Sequence, residues 1–254
     1  MTPELAACAR IVERGDPARF AAVMAAPVAA RRALWPVYAF NVEVSRAPWV
    51  TKEPLIAQMR LQWWSDVLDE IAAGGPVRRH EVATPLAEAL PRWGAALLRP
   101  AVEARHWDVD ERGFPDEAAL WAHLDATAGA LLRGAAAALG AADGDGLRLA
   151  GRAQGLALWL LAVPALERAG RHPLPDGRPE AVARLAREGL EALAAARRAD
   201  VPRAAAPALI ALSETGSVLR RAAREPARVA AGALEGGPGT VAARRAWVAM
   251  TGRW

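Results

Sequence analysis

The chain has 254 residues, a length at which one chain still closes around one core, so a single domain over 1–254 is the expectation. Alanine supplies much of its 53% hydrophobic content, and ten Trp stand beside three Phe and one Tyr; alanine favours helix, β-branched residues other than Val are sparse, and an all-α fold is predicted. The formal net charge of +4 comes almost wholly from Arg, Lys52 being the only lysine, a pattern read as coding bias rather than a selected surface, and no nucleic-acid partner is expected.

Proline just inside a start and glycine just past an end punctuate the chain in helical order. Thr2-Pro3-Glu4 opens a first helix that Gly15 closes, and Asp16-Pro17 caps a short one ending before Pro27. A longer helix over 27–45 contains Pro36, which is expected to kink it. The segment 54–73 follows, closed by Gly74-Gly75, with Ile56, Met59, Trp63, Val67 and Ile71 forming an apolar stripe toward a core and Ser65 and Asp69 on the wet side. Further helices are predicted at 85–98, 100–107, 115–139, 147–168, 179–199, 204–224, 227–234 and 241–250, with the glycine-rich stretches 143–146 and 235–239 the most flexible. The longest run without a charge or a strongly polar side chain, 155–166, falls short of the roughly 20 residues of a membrane span and reads as a buried helix.

Cys8 is the only cysteine, so no internal disulfide forms, and it reads as a core residue. The N-terminus lacks the pattern of a signal peptide, and a cytoplasmic location, with peripheral placement at the inner membrane face, is the expectation. His80, His106, His123 and His172 are scattered without metal-ligand spacing and are assigned surface or cap roles. Residues 217–254 carry seven Arg against two Glu, which makes this end electropositive and predicts weak contact with an anionic membrane surface or an acidic partner.

The segment 16–71 reads GDPARFAAVMAAPVAARRALWPVYAFNVEVSRAP from Gly15, then EPLIAQMRLQWWSDVLDEI. It resembles the squalene/phytoene synthase family, in which an Arg-aromatic pair, Pro, a basic pair and Tyr-Ala-Phe precede an Arg/Gln/Trp helix; the likeness continues over 104–140 and more faintly over 151–175. The resemblance implies an isoprenoid-synthase-like helical bundle around a central apolar core or cavity. It also implies, for catalytic members, head-to-head joining of two prenyl diphosphates with Mg²⁺ held by two aspartate-rich motifs. Carboxylate oxygens suit hard Mg²⁺, and an apolar pocket protects the allylic cation from water.

Tyr38, Ala39 and Phe40 match that pattern, but Asn41 and Val42 replace Cys-Arg, Ser45 and Arg46 take the first aspartate places, and Trp49 stands at the third. The second motif aligns with Leu161, Ala162 and Leu166. Asn41, Glu43 and the run MRLQWW at 59–64 resemble a divergent branch that includes mitochondrial complex I assembly factors, although Leu161 departs from that branch too. The resemblance therefore implies a catalytically silent protein, an assembly or binding factor for a membrane-associated complex, with no metal and no cofactor. The alternatives are a prenyltransferase that uses Mg²⁺ on unrecognised carboxylates, Glu43, Asp66 and Glu70 being the weak candidates, and an isoprenoid- or lipid-binding protein. For the carboxylates a solvated or salt-bridged helix edge is the plainer reading.

With the helices 27–45, 54–73, 115–139 and 147–168 surrounding the core, the expected pocket positions are Tyr38, Phe40, Asn41, Met59, Arg60, Trp63, Trp121 and Trp159, with Leu131 beside them. Large side chains here predict a narrow, dry cavity with Asn41 and Glu43 near its mouth. Arg19, Arg31, Arg32, Arg60 and Arg105 are candidate cations for a cavity mouth, each also readable as an ordinary surface charge. Trp35, Trp49, Trp63, Trp64, Trp107, Trp121 and Trp159 are read as core side chains or, alternatively, as the lining of a prenyl tunnel.

Overall fold

A computed structural model describes residues 2–51, 53–110 and 113–254, without the side chain of Asp110; Lys52, Glu111 and Arg112, which fall in segments discussed above, lie outside the described residues. Regular structure among the described residues is entirely helical. The first four helices follow the punctuation. α1 (Pro3–Gly15) starts on the Thr2 hydroxyl, which accepts from the Leu5 amide; α2 (Pro17–Ala25) starts on Asp16, whose carboxylate accepts from the Arg19 amide. α3 (Val28–Arg46) runs through Pro36 without interruption, and α4 (Pro54–Ala73) ends on Gly74 at φ 70°, the left-handed C-cap that favours glycine.

The predicted stripe on α4 is out of phase. Ala57, Leu61, Trp64, Leu68 and Ile71 face the core, whereas Ile56 and Met59 are exposed and Trp63 is half-buried. Adjacent apolar residues at 55–56 and 63–64 allow either phase in sequence, and packing against α6 and α3 selects the second. Val67 and Ile71 are buried in both readings.

Two predicted boundaries move because of proline. The helix expected over 85–98 divides into α5 (Ala83–Ala89) and α6 (Arg92–Glu103) at Pro91, and Pro100, expected to open a new helix, lies inside α6. The short α7 (His106–Asp110) follows. The helix expected over 115–139 is one rod in three parts: α8 (Glu117–Leu124), a π turn (Asp125–Gly129) and α9 (Ala130–Ala138). The Ala130 amide reaches back to the Asp125 carbonyl, which inserts one extra residue and shifts the face that α9 presents.

α10 (Asp145–Arg168) is the central element, packed against α8, the π turn, α9, α11 (Pro179–Arg198) and α13 (Thr215–Arg224). Its length and composition would suffice to cross a membrane, but half of its most apolar window is buried inside the protein. The predicted 204–224 helix is broken into 3₁₀ turns at Arg203–Ala205 and Ile210–Leu212 around α12 (Ala206–Leu209), with α13 starting anew at Thr215. α14 (Ala227–Ala230) and α15 (Pro238–Thr251) complete the chain, and Val248 is the buried residue of α15.

Small residues let α10 approach the π turn. A Cβ on Gly151 would lie 2.6 Å from the Gly129 Cα, and one on Gly155 would lie 3.2 Å from the Ala128 and Leu124 Cβ atoms. One turn apart on the same face, these two glycines bring backbone nearly onto backbone. Charge brackets the crossing, since Arg152 donates to both oxygens of Asp125 at 3.1 and 2.8 Å while its guanidinium lies 4.9 Å from the Trp121 ring.

Candidate functional site

Where α10 crosses the π turn, the C-terminal half of α3 and the start of α2 enclose a cleft of about 370 Å³. α3 contributes Asn41 and Ser45, with Trp49 following in the turn beyond it; α10 contributes Leu158, Trp159, Ala162 and Leu166. Asn41 and Ser45 are four residues apart on α3, and Leu158, Ala162 and Leu166 recur every four on α10, so each series lies along one helical face, which Trp49 extends from the turn. Thr127 and Ala128 of the π turn form the floor, and Asp16, Arg19, Arg105, Asp108 and His123 close the sides.

The charges are organised in pairs. The Arg19 guanidinium donates to Asp16 and lies 5.7 Å from the centre of the buried Tyr38 ring. Burial opposes the charge on Arg19, but Asp16 and Tyr38 outweigh it and hold its pKa above the usual arginine value. Burial also pushes the Tyr38 phenol up to about 12, against Arg19. Arg105 donates to Asp108 at 3.2 Å, and Arg171 donates to the Asp108 carbonyl while stacking 5.1 Å from the Trp49 ring. Asp108 is raised above the ordinary carboxylate range by burial, with Arg105 and Arg171 pulling the other way.

His123 separates this cleft from a second, more open hollow beside Phe114 and Trp107. It is buried, its ring 5.1 Å from Trp159 and 5.3 Å from both Trp107 and Phe114. Among the described residues, its Nε2, the Trp107 Nε1 and the Arg105 Nε are buried without a hydrogen-bond partner. Burial, and secondly Arg105, lowers its pKa to about 3, so the imidazole is neutral at neutral pH. The surface or cap role predicted for His123 is thus corrected: helical spacing places it on the buried face of α8 with Leu120 and Leu124.

Of the expected pocket residues, Asn41 and Trp159 line the cleft. Tyr38 is covered by Arg19, Phe40 packs edge-on against Trp64, and Leu131 is in the core. Met59 and Arg60 are exposed on α4, a consequence of its changed phase, and Trp63 lies at the surface beside Arg78 and His80. Trp121 faces outward, donating to Glu188 at 3.3 Å. Trp49, expected in the core, is 47% exposed at the cleft mouth. The lining is mixed rather than dry, because Asp16, Arg19, Arg105 and Asp108 enter it.

The three candidate carboxylates do not meet. Glu43 is two residues from Asn41, about 200° around the helix, and is not part of the cleft lining. Asp66 accepts from Gln62 at 2.8 Å and lies 3.7 Å from Arg78; Glu70 accepts from Arg78 Nε at 2.8 Å, and its side-chain and backbone hydrogen bonds from Arg78 hold it below its usual pKa. Among the described residues no three of His, Cys, Asp and Glu are grouped to hold a metal ion. A hydroxyl, an indole, a methyl and an isobutyl group at Ser45, Trp49, Ala162 and Leu166 do not fit Mg²⁺, which requires oxygen ligands and favours carboxylates. Sequence reasoning singled out Arg19 and Arg105 as cavity cations, and the cleft contains both; Asp16, Asp108 and Thr127 were missed because capping and local pairing hide them in sequence.

The squalene/phytoene synthase family matches residues 12–177. The chain is a member of that family. A dehydrosqualene synthase crystallised in complex with ligand superposes with a TM-score of 0.75 at 13% identity, covering 98% of this chain and 95% of that one. The squalene synthase HpnC from Alicyclobacillus acidocaldarius superposes with a TM-score of 0.68 at 16% identity, covering 87% of this chain and 94% of that one. At these identities the likeness is one of fold, and it agrees with the expected all-α isoprenoid-synthase bundle. Comparison with curated proteins gave no match.

Proposed function

We propose that this squalene/phytoene synthase family member does not condense prenyl diphosphates and acts instead as a binding or assembly factor for a membrane-associated complex. The observation that carries the reading is the pair of cleft walls, with Ser45 and Trp49 on one side and Ala162 and Leu166 on the other, at places the family resemblance reserves for aspartates. Without a metal-binding wall, charge developing on a departing diphosphate lacks the stabilisation that such chemistry needs. The complex I assembly branch, on Asn41, Glu43 and the 59–64 run, is the finer form of this proposal, and a cytoplasmic place at the inner membrane face goes with it.

The purified chain, incubated with farnesyl or geranylgeranyl diphosphate and Mg²⁺, should give no squalene, phytoene or cyclopropyl precursor above the protein-free control. Metal-dependent product by extraction and chromatography would restore the prenyltransferase reading. A second reading is supported by the open cleft itself: its volume and the wall of Leu158, Trp159 and Leu166 suit an isoprenoid or lipid guest held without chemistry.

Contact with a membrane surface is expected at the C-terminal end. α15 exposes Trp247 and Met250 three residues apart, beside Arg245, and Arg253 follows it. Such a face combines interfacial apolar groups with cations worth about 1 kcal/mol each near an anionic bilayer. Flotation should recover the chain with vesicles containing phosphatidylserine at low salt and lose most of it at high salt. Equal recovery with neutral vesicles at both salt concentrations would remove the electrostatic contribution.

A further inference from the structure

A second groove is larger than the cleft. It measures about 630 Å³ and lies between α1, α2 and the first turns of α3. Phe20 and Trp35 form its aromatic floor, their rings 5.2 Å apart, and Leu5, Ala9, Met24 and Val28 extend the apolar surface. Met24 and Val28 are 47% and 75% exposed, large apolar groups left without cover.

Charge at the rim is one-sided. Arg10, Arg31 and Arg32 line the groove against Glu13, a balance of +2. Arg31 is fixed by donating to the carbonyls of Ala26 at 3.2 Å and Met24 at 2.7 Å. Those partners are neutral, so its charge is not cancelled. Arg10 and Arg32 are exposed and make no ion pair or side-chain hydrogen bond with a described residue. Guanidinium groups without carboxylates bind carboxylate or phosphate through paired N–H donors.

An apolar floor beside uncompensated arginines matches one ligand chemistry, an aliphatic chain ending in an anion. We propose that this groove binds a single-chain anionic amphiphile, a fatty acid or an alkyl or prenyl phosphate, with the tail over Phe20 and Trp35 and the head on Arg10 and Arg32. The volume falls in the range of small-molecule sites, about 300–1,000 Å³. The site is separate from the cleft and does not depend on what the cleft holds.

The test uses the full chain and the fluorescent fatty acid cis-parinaric acid. Saturable binding is expected, with displacement by palmitate and by dodecyl phosphate; their relative potency distinguishes a carboxylate from a phosphate head. Methyl palmitate should compete at least tenfold more weakly. Arg10→Glu with Arg32→Glu should weaken probe affinity at least tenfold, and Ala9→Trp should block the groove, with circular dichroism unchanged in the exposed charge variants. Ala162→Trp, which fills the cleft, separates the two sites. Loss of probe binding in Ala162→Trp with retention in the groove variants would place the ligand in the cleft and overturn the proposal, as would equal potency of the ester or no binding at all. Self-association that the groove variants abolish, without probe binding, would assign the groove to a second copy of the chain.

Discussion

Replacing Gly151 by alanine is expected to destabilise the protein by about 2–4 kcal/mol, although alanine is favoured over glycine inside a helix by roughly 1 kcal/mol. The reason is what a Cβ would meet. At Gly151 it would sit 2.6 Å from the Gly129 Cα and 3.3 Å from the Gly129 carbonyl oxygen, both backbone atoms that move only if the helices part. At Gly155 the contacts start at 3.2 Å, so Gly155→Ala should cost less, within about 1 kcal/mol of wild type, as the clash and the propensity gain offset each other. Gly151→Leu should exceed the alanine loss, with failure to fold as the extreme. Urea denaturation of the two alanine variants checks the order. A Gly151→Ala midpoint equal to or above wild type would mean that the crossing has slack that the close approach does not suggest. Because Thr127, Ala128, Leu158 and Ala162 line the cleft on the two sides of this crossing, the same substitution should also widen the cleft.

The fold was readable where single residues decide it and unreadable where packing does. Thr2, Asp16, Pro54 and Gly74 set helix ends through local bonds and backbone angles, and those ends appear where predicted. Proline is ambiguous by itself: Pro91 precedes a helix start, whereas Pro36 and Pro100 lie within helices, although each lacks the same backbone N–H. The π turn has no local signature in Asp125–Gly129 beyond small residues, and it coincides with the backbone approach of α10, a contact between distant segments. The phase of α4 fails for a related reason, since Leu55, Ile56 and Met59 are apolar yet exposed.

The site was legible in part. The family alignment selected the faces of α3 and α10, and Asn41, Ser45, Trp49, Ala162 and Leu166 do share one cleft. It did not reveal that Arg19 would cover Tyr38 or that α4 would present Arg60 to solvent. Glu43 shows the limit most simply, because proximity to Asn41 along the chain puts it on the other side of the helix.

His123 should make the protein acid-sensitive in a range where surface histidines would not. Its pKa falls from 6.5 to about 3, first because burial penalises the charged ring and secondly because Arg105 stands near. The sign follows from proton counting: between these values the unfolded chain binds a proton that the folded chain does not, so the contribution is complete above about pH 6.5 and is lost as pH falls toward 3. Asp108 acts in the opposite sense, because its raised pKa favours folding below the ordinary carboxylate range and loses that contribution as pH rises. From about pH 6.5 to about pH 4.5 the histidine alone predicts a loss of roughly 2–3 kcal/mol, at about 1.4 kcal/mol per pH unit. His123→Phe keeps an aromatic ring among Trp107, Phe114 and Trp159 and removes the buried Nε2, which has no partner among the described residues. Its stability near pH 7 should equal or exceed wild type by up to about 2 kcal/mol, since an unsatisfied buried polar atom carries its desolvation cost uncompensated. Its loss between the two pH values should be smaller by the histidine share. Urea midpoints for both proteins at the two pH values give the comparison, and parallel losses would show that His123 titrates in the folded protein as it does in the unfolded chain.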